Sequence, residues 1–174
     1  MGMRGAKHRF MPNRLVFPGG AVDHADLDAP SATPLSAHTE RLLRKSATAR
    51  LAHGLAIAAS RELDEESGLS LGAPPNLHVL YLLARAVTPP PSPIRFNARF
   101  FVVDARHVNG TLGGDGELEG LRYYDVQEAL ALDLAMPTRR VLERLGLWLA
   151  MDEAERTAQT HTPVMHRDRG WRME

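Results

Sequence analysis

Nine consecutive residues, Arg61-Glu62-Leu63-Asp64-Glu65-Glu66-Ser67-Gly68-Leu69, constrain this chain more than any other stretch. Glu62, Glu65 and Glu66 stand at relative positions 0, 3 and 4, which on an α-helix confines them to one face. Ala52, Ala56, Ala59 and Leu63 recur at helical spacing on the opposite side. The stretch therefore reads as an amphipathic helix whose small residues let it lie close to a sheet. Gly68, just past the acid cluster, predicts a left-handed C-cap that ends the helix there. Carboxylates at this spacing repel one another, so the pattern calls for a cation, either Arg61 or a divalent metal. Hard oxygen donors suit magnesium, manganese or calcium better than zinc. A purely structural calcium site is disfavoured, because one helical turn lacks the 12-residue ligand loop common to such sites.

Upstream, Val16-Phe17-Pro18-Gly19-Gly20-Ala21-Val22-Asp23 runs an apolar strand end into a paired-glycine turn. Such a turn allows close backbone approach to a ligand. With the nine-residue stretch, which matches Arg-Glu-aliphatic-x-Glu-Glu-x-Gly-aliphatic position for position, the chain resembles a Nudix hydrolase. The resemblance implies an α/β fold, a Nudix-type α/β/α sandwich with a mixed β-sheet. It implies a metal-dependent hydrolase of diphosphate linkages in nucleoside diphosphate derivatives. Glu62, Glu65 and Glu66 would hold Mg2+ or Mn2+, one glutamate among Glu62, Glu66 or a loop residue would act as base, and Arg61 would orient the cluster. Gly19 and Gly20 would meet the substrate. Glu117 and Glu119 lie where many relatives supply a further acid from a loop.

Arg61 lies 41 residues beyond Gly20, far more than in the uninterrupted motif, so a helical insertion at about residues 23–50 separates the Gly-Gly turn from the catalytic helix. Where the motif's upstream glutamate belongs, this chain has His53, and Ala47 replaces its leading glycine. Lost upstream residues keep a second reading open: a non-catalytic or truncated Nudix domain that binds a nucleotide-type ligand. Phe10-Met11-Pro12, Phe17-Pro18-Gly19-Gly20, Val22-Asp23-x-x-Asp26 and the run Arg95-Phe96-Asn97-Ala98-Arg99-Phe100-Phe101-Val102 are similar to the branch containing peroxisomal coenzyme A diphosphatases and related bacterial proteins. Coenzyme A or its acyl esters are the substrates that branch implies. Relatives usually carry a further strand before the residues equivalent to Met3-Arg4-Gly5, so the sheet is expected to lack an edge strand; either the native N-terminus is longer, or a homodimer covers the exposed edge.

Along the rest of the chain, residues 14–17 read as a short strand and 23–38 as a loop. A basic helical segment from Thr39, with Arg41, Arg44, Lys45 and Arg50, merges into or abuts the acidic helix and forms a cap. Residues 77–86 and 96–103 read as strands of a hairpin joined by the stiff connector 88–93. A strand at 120–124 leads to a helix from about Asp125. Pro137 opens a last helix, similar to the family's terminal helix, that runs to about Met151. The glycine-rich segment 109–116 reads as a mobile turn, and 157–174 as a weakly structured tail behind a single domain of residues 1–156.

A chain of 174 residues can bury a core without disulfides. Lys+Arg and Asp+Glu are equal at 21 each, which argues against a nucleic-acid or anionic-membrane binder. The basic segment Arg4, Lys7, Arg9 and Arg14 carries no acid among residues 1–14 and would complement a phosphate substrate; Arg4 and Arg14 are the substrate-binding candidates. Zero cysteines exclude thiol nucleophiles and cysteine zinc sites, and with them the family's cysteine-dependent isomerases. The eight histidines form no i,i+3 or i,i+4 pair. With no apolar run of membrane-spanning length, the chain is expected in the cytoplasm, acting on a small molecule.

Overall fold

The structure, a computed structural model, describes residues 1–5, 13–88, 90, 95–166 and 170–174. Lys7, Arg9, Phe10-Met11-Pro12 and most of the connector 88–93 lie outside the described residues.

The acidic helix is the longest element and its ends are built as the sequence suggests. We number it α2, Ala49–Ser67, after β1 (Gly2–Arg4), β2 (Leu15–Val16) and α1 (Ala37–Leu43). The Thr48 hydroxyl accepts the Leu51 N–H at 3.2 Å, pairing one donor of the first turn. At the other end Gly68 takes the left-handed conformation, φ +68°, and its N–H donates to Asp64 O at 2.8 Å. Ala52 and Ala56 are fully buried, as the small-residue stripe requires. Burial extends further round the helix than one stripe, taking in Gly54, Ala58 and Ser60, because the inserted segment covers a second side.

That insertion is core rather than cap. A 3-10 turn, Ala25–Leu27, packs against α2, and α1 stands as a separate helix capped by Ser36, whose hydroxyl accepts the Thr39 N–H at 3.2 Å. Leu35, Leu42 and Leu43 of the insertion share a cluster with Ala52, Ala56, Ile57, Leu71, Leu77, Leu80 and Leu82. Buried Thr39 spends its hydroxyl on Leu80 O at 2.7 Å. The basic residues remain at the surface, Arg50 on Asp28 and Arg44 near Glu40. Leu35, Leu42 and Leu43 in the main core, with Ala29 and Ala47 packed against it, leave the insertion no freedom to swing over a site.

After α2 come β3 (Leu69–Ser70), β4 (Tyr81–Val87), β5 (Asn97–Val102), β6 (Asn109–Gly110), β7 (Leu118–Glu119), α3 (Val126–Leu130), α4 (Met136–Leu149), α5 (Glu153–Ala158), β8 (Pro163–His166) and β9 (Gly170–Met173). The main sheet has the order β5-β4-β8-β9 and is mixed: β4 runs antiparallel to β5 and parallel to β8. Leu82 and Phe101 face the α1/α2 core, whereas Leu83, Ala84 and Phe100 face α4 through Val141 and Trp148. The sheet thus has helices on both faces, an α/β/α sandwich, with a register shift in β4 between Leu82 and Ala84 that turns both Leu83 and Ala84 to the α4 side. A smaller antiparallel sheet, β2-β1-β7, and a two-stranded ladder, β3-β6, complete the structure.

Several elements differ from the sequence reading. Residues 77–79 form a 3-10 turn, not the start of the strand, because the Asn76 side chain accepts the His78 N–H at 3.1 Å and turns the backbone first. The strand expected at 120–124 is instead Leu118–Glu119, ended by Gly120 at φ +59°. Asp125 caps α3 through the Gln127 N–H at 2.8 Å, but this helix is a short one. The largest correction concerns the tail. Residues 163–166 and 170–173 enter the main sheet, Val164 and Met165 are buried, and the proposed boundary at 156 falls inside α5. Short strands beside a charged stretch carry little local signal; β8 is defined by its distant partner β4. No helix among the described residues is long and apolar enough to cross a membrane.

Candidate active site

Arg61 is the centre of a hydrogen-bond network at the acid cluster. Its Nε and Nη2 donate to the two oxygens of Asp26, each at 3.1 Å, Nη2 also reaches Ala21 O at 3.0 Å, and Nη1 donates to Glu62 at 2.7 Å and Glu65 at 3.0 Å. Asp23 lies 3.7 Å from Nη2. One guanidinium therefore ties α2 to the start of the insertion. Asp26 is the partner that sequence reasoning passed over, although it sits in the quoted Val22-Asp23-x-x-Asp26 run. Its side chain is 5% exposed. Burial pushes its carboxyl up, but the Arg61 hydrogen bonds and charge, with the Asp23 N–H at 2.8 Å, outweigh this and hold it below the usual carboxylate range. The Asp26 hydrogen bonds, against burial, in turn raise Arg61, with Glu62 adding to them.

The Gly-Gly turn meets the acid face directly. Gly19 N–H donates to Glu66 Oε2 at 2.7 Å. At Gly20 a Cβ would stand 2.3 Å from Glu62 Oε1 and 2.5 Å from its Cδ, so only glycine lets the Glu62 carboxylate lie against the turn. Gly20→Ala is expected to swing that flexible carboxylate away, lowering divalent-metal affinity about tenfold while changing stability by less than about 1 kcal/mol. Calorimetric titration with Mn2+ beside urea unfolding checks this; unchanged Mn2+ affinity would remove Glu62 from the site.

The three glutamates share a helix face but not an environment. Glu65 is half exposed, Glu62 mostly covered, and Glu66 only 3% exposed. Burial raises the Glu66 carboxyl most, the Gly19 N–H lowers it, Glu117 raises it, Arg4 lowers it and Glu62 raises it, with the net effect that it is pushed up to about 7.

The glycine-rich segment, expected as a mobile turn, is strapped across the end of α2. Gly113 N–H donates to Ser67 O at 2.8 Å and Asp115 N–H to Glu65 O at 3.0 Å. Gly114 crosses the helix so closely that a Cβ would lie 2.2 Å from Glu66 O. These contacts satisfy carbonyls at the helix C-terminus, and the required closeness explains Gly114. The strap delivers Glu117 to the site. Arg4 Nη2 lies 3.6 Å from Glu117 and 3.7 Å from Glu66, so the two acids flank one cation. Glu119 sits on β7 opposite Met3 and is exposed.

Of the two arginines expected at the substrate, Arg4 is beside the glutamates and Arg14 is spent elsewhere, on the Asp133 side chain and on its carbonyl at 3.3 Å. His53, standing where the motif's upstream glutamate belongs, bonds Ala29 O at 2.7 Å and so serves the insertion. The carboxylates of Glu62, Glu65 and Glu66 are hard donors suited to Mg2+ or Mn2+, and crowding around Glu66 is of the kind a divalent cation relieves. As placed, Glu62 and Glu65 are turned to Arg61 and Glu66 to Gly19. Among the described residues no three acidic or histidine side chains converge as a metal-holding group. The donor set fits such an ion in chemistry, with Glu62 and Glu65 turning from Arg61 to take it up.

No protein-family model matches the sequence, and no curated protein matches it. Among solved structures, the chain is similar to a Nudix hydrolase from Alicyclobacillus acidocaldarius, with a TM-score of 0.63 and 23% identity over 91% of this chain and 86% of that one. The fold is the Nudix fold.

Proposed function

We propose that this chain is a metal-dependent hydrolase that cleaves a diphosphate linkage in a nucleoside diphosphate derivative, with coenzyme A or its acyl esters as preferred substrates. The observation that carries the reading is the meeting of Glu62 and Glu66 with the Gly19-Gly20 turn, which unites the two halves of the motif across the insertion. The preference for coenzyme A rests on the sequence runs around residues 16–26 and 95–102.

Glu62, Glu65 and Glu66 would hold Mg2+ or Mn2+, which when bound neutralises phosphoryl oxygens and acidifies the attacking water. The chain's own residues do the rest. Gly19 N–H fixes one Glu66 oxygen and leaves the other toward Arg4. Arg61, locked by Asp26, keeps Glu62 and Glu65 on the same side of α2. Glu117, brought beside Glu66 by the strap, is placed to take the proton of the water as its oxygen attacks phosphorus and the bridging P–O bond breaks. The same reading takes a small-molecule substrate in the cytoplasm, with no nucleic acid or membrane as partner.

A second reading, a non-catalytic domain that binds a nucleotide-type ligand, draws on His53 having left the acid site for Ala29. Incubating the protein and Glu65→Gln with Mg2+ or Mn2+ and a panel of coenzyme A, its acyl esters, nucleotide sugars and dinucleotides, with products resolved by mass, separates the two. Cleavage that the substitution abolishes supports the hydrolase and names its substrate. Silence across the panel from folded, metal-binding protein favours the binding domain.

A further inference from the structure

The two arginines at the acid site are in opposite states. Arg61 spends every nitrogen of its guanidinium on an acceptor at hydrogen-bond distance. Among the described residues the Arg4 guanidinium has none: its contacts to Glu66 and Glu117 are ion pairs at 3.7 and 3.6 Å, and its Nε is buried without a hydrogen-bond partner. A guanidinium carries five donors in a rigid fork, and leaving a buried donor unpaired costs free energy. Arg4 is nonetheless only 17% exposed, so water does not make up the difference across the whole group.

Its position is well held. The Arg4 backbone exchanges hydrogen bonds with the β2 hairpin, N–H to Arg14 O at 3.0 Å and O from Asn13 N–H at 2.9 Å, and pairs in register with Leu118, next to Glu117. The backbone is thus tied down while the side chain lacks fixed partners. It is a cation stationed against two carboxylates without being bonded to either.

We propose that Arg4 is an exchangeable counter-cation: it neutralises Glu66 and Glu117 in the metal-free protein, gives way when a divalent ion takes Glu66, and then offers its vacant donors to the substrate's diphosphate. This rests on the hydrolase reading above and adds an order of events to it. Metal and Arg4 compete for one carboxylate, so their occupancies oppose each other. A planar guanidinium suits paired phosphate oxygens, which accept from two of its nitrogens at once. Metal binding would thereby create the cationic place for the substrate, coupling the two binding steps in a fixed order.

The test uses Mn2+ alone and then methylenediphosphonate, a diphosphate whose bridge water does not cleave, with calorimetry on wild type, Arg4→Gln, Arg4→Lys and Glu65→Gln, and circular dichroism to confirm folding. Arg4→Gln is expected to bind Mn2+ about five- to tenfold more tightly than wild type, because the competitor is gone. Saturated with Mn2+, the same variant should bind methylenediphosphonate at least about tenfold more weakly. Arg4→Lys, which keeps the charge but loses the fork, should show smaller changes in the same directions and carries the test if Arg4→Gln does not fold. Unchanged or weaker Mn2+ binding in the arginine variants overturns the exchange, as does unchanged diphosphonate binding. If Glu65→Gln binds Mn2+ as well as wild type does, the metal site itself is misplaced and the exchange falls with it; a defect in Glu65→Gln with none in the Arg4 variants sinks the exchange alone.

Discussion

Glu66→Gln should abolish most turnover, lowering it by roughly 10²- to 10³-fold, while making the metal-free protein more stable at pH 8. Both effects come from the same burial. The carboxylate is 3% exposed and its folded value, about 7, lies above its ordinary 4.5. The folded state therefore holds a proton on Glu66 more tightly than the unfolded chain does. The stability this contributes is fully present below about pH 4.5, is lost as pH rises through about 7, and does not change further above that. Glutamine mimics the protonated form and still accepts the Gly19 N–H, so it removes the penalty at high pH. The gain at pH 8 is expected to reach about 3 kcal/mol, with almost none at pH 5. Urea unfolding of both proteins at the two pH values, without metal, reads the difference. An equal gain at both pH values would refute the buried-carboxylate account, and wild-type activity in the variant would remove Glu66 from the site.

The second large effect is expected at Arg61. Removing it by Arg61→Ala leaves Asp26, with a side chain 5% exposed, holding a charge answered among the described residues by the Asp23 N–H alone. It also removes the cation between Glu62 and Glu65. Breaking a buried ion pair from one side costs about 3–5 kcal/mol, because the remaining charge has neither water nor partner. Lysine should not restore the loss, since one ammonium cannot reproduce the fork that grips both Asp26 oxygens. Asp26→Asn in the same chain should return part of it: the two substitutions together are expected to cost about 2 kcal/mol less than their sum. A double-mutant cycle by urea unfolding measures this. Additive losses, or a cost below about 1 kcal/mol for Arg61→Ala, would show that the network adds little. Above the ordinary carboxylate range the Asp26 contribution is fully present, and it is lost as pH falls through the depressed folded value.

These two residues also show which parts of the site could be read along the chain. Local pattern sufficed wherever the partners are close in sequence. Three glutamates at helical spacing, a glycine that ends the helix and an arginine four residues before Glu65 are relations within two turns, and the structure keeps each of them. The β4–β5 hairpin was legible because two strand-like runs follow one another along the chain, and the structure pairs them antiparallel. Apart from the 77–79 turn, set locally by Asn76, the larger misses had distant partners. Asp26 looked like one more loop acid until the fold buried it against Arg61, 35 residues on. The Gly110–Gly116 strap looked mobile because its hydrogen bonds go to carbonyls of Glu65 and Ser67 rather than to its own neighbours. Strands β8 and β9 looked like a tail because their ladder is completed by β4.

By itself, the sequence determined that an acidic helix would form, where it would stop and which face would carry its charge. Those outcomes depend on backbone geometry and on interactions between residues a few positions apart. Only the tertiary structure decided how the charges are divided: Glu66 inside, Glu65 half in water, Arg61 saturated, the Arg4 guanidinium without a hydrogen bond among the described residues and Arg14 drawn away to Asp133. Burial and ion pairing depend on which distant segments close around a residue, and spacing along the chain does not encode that.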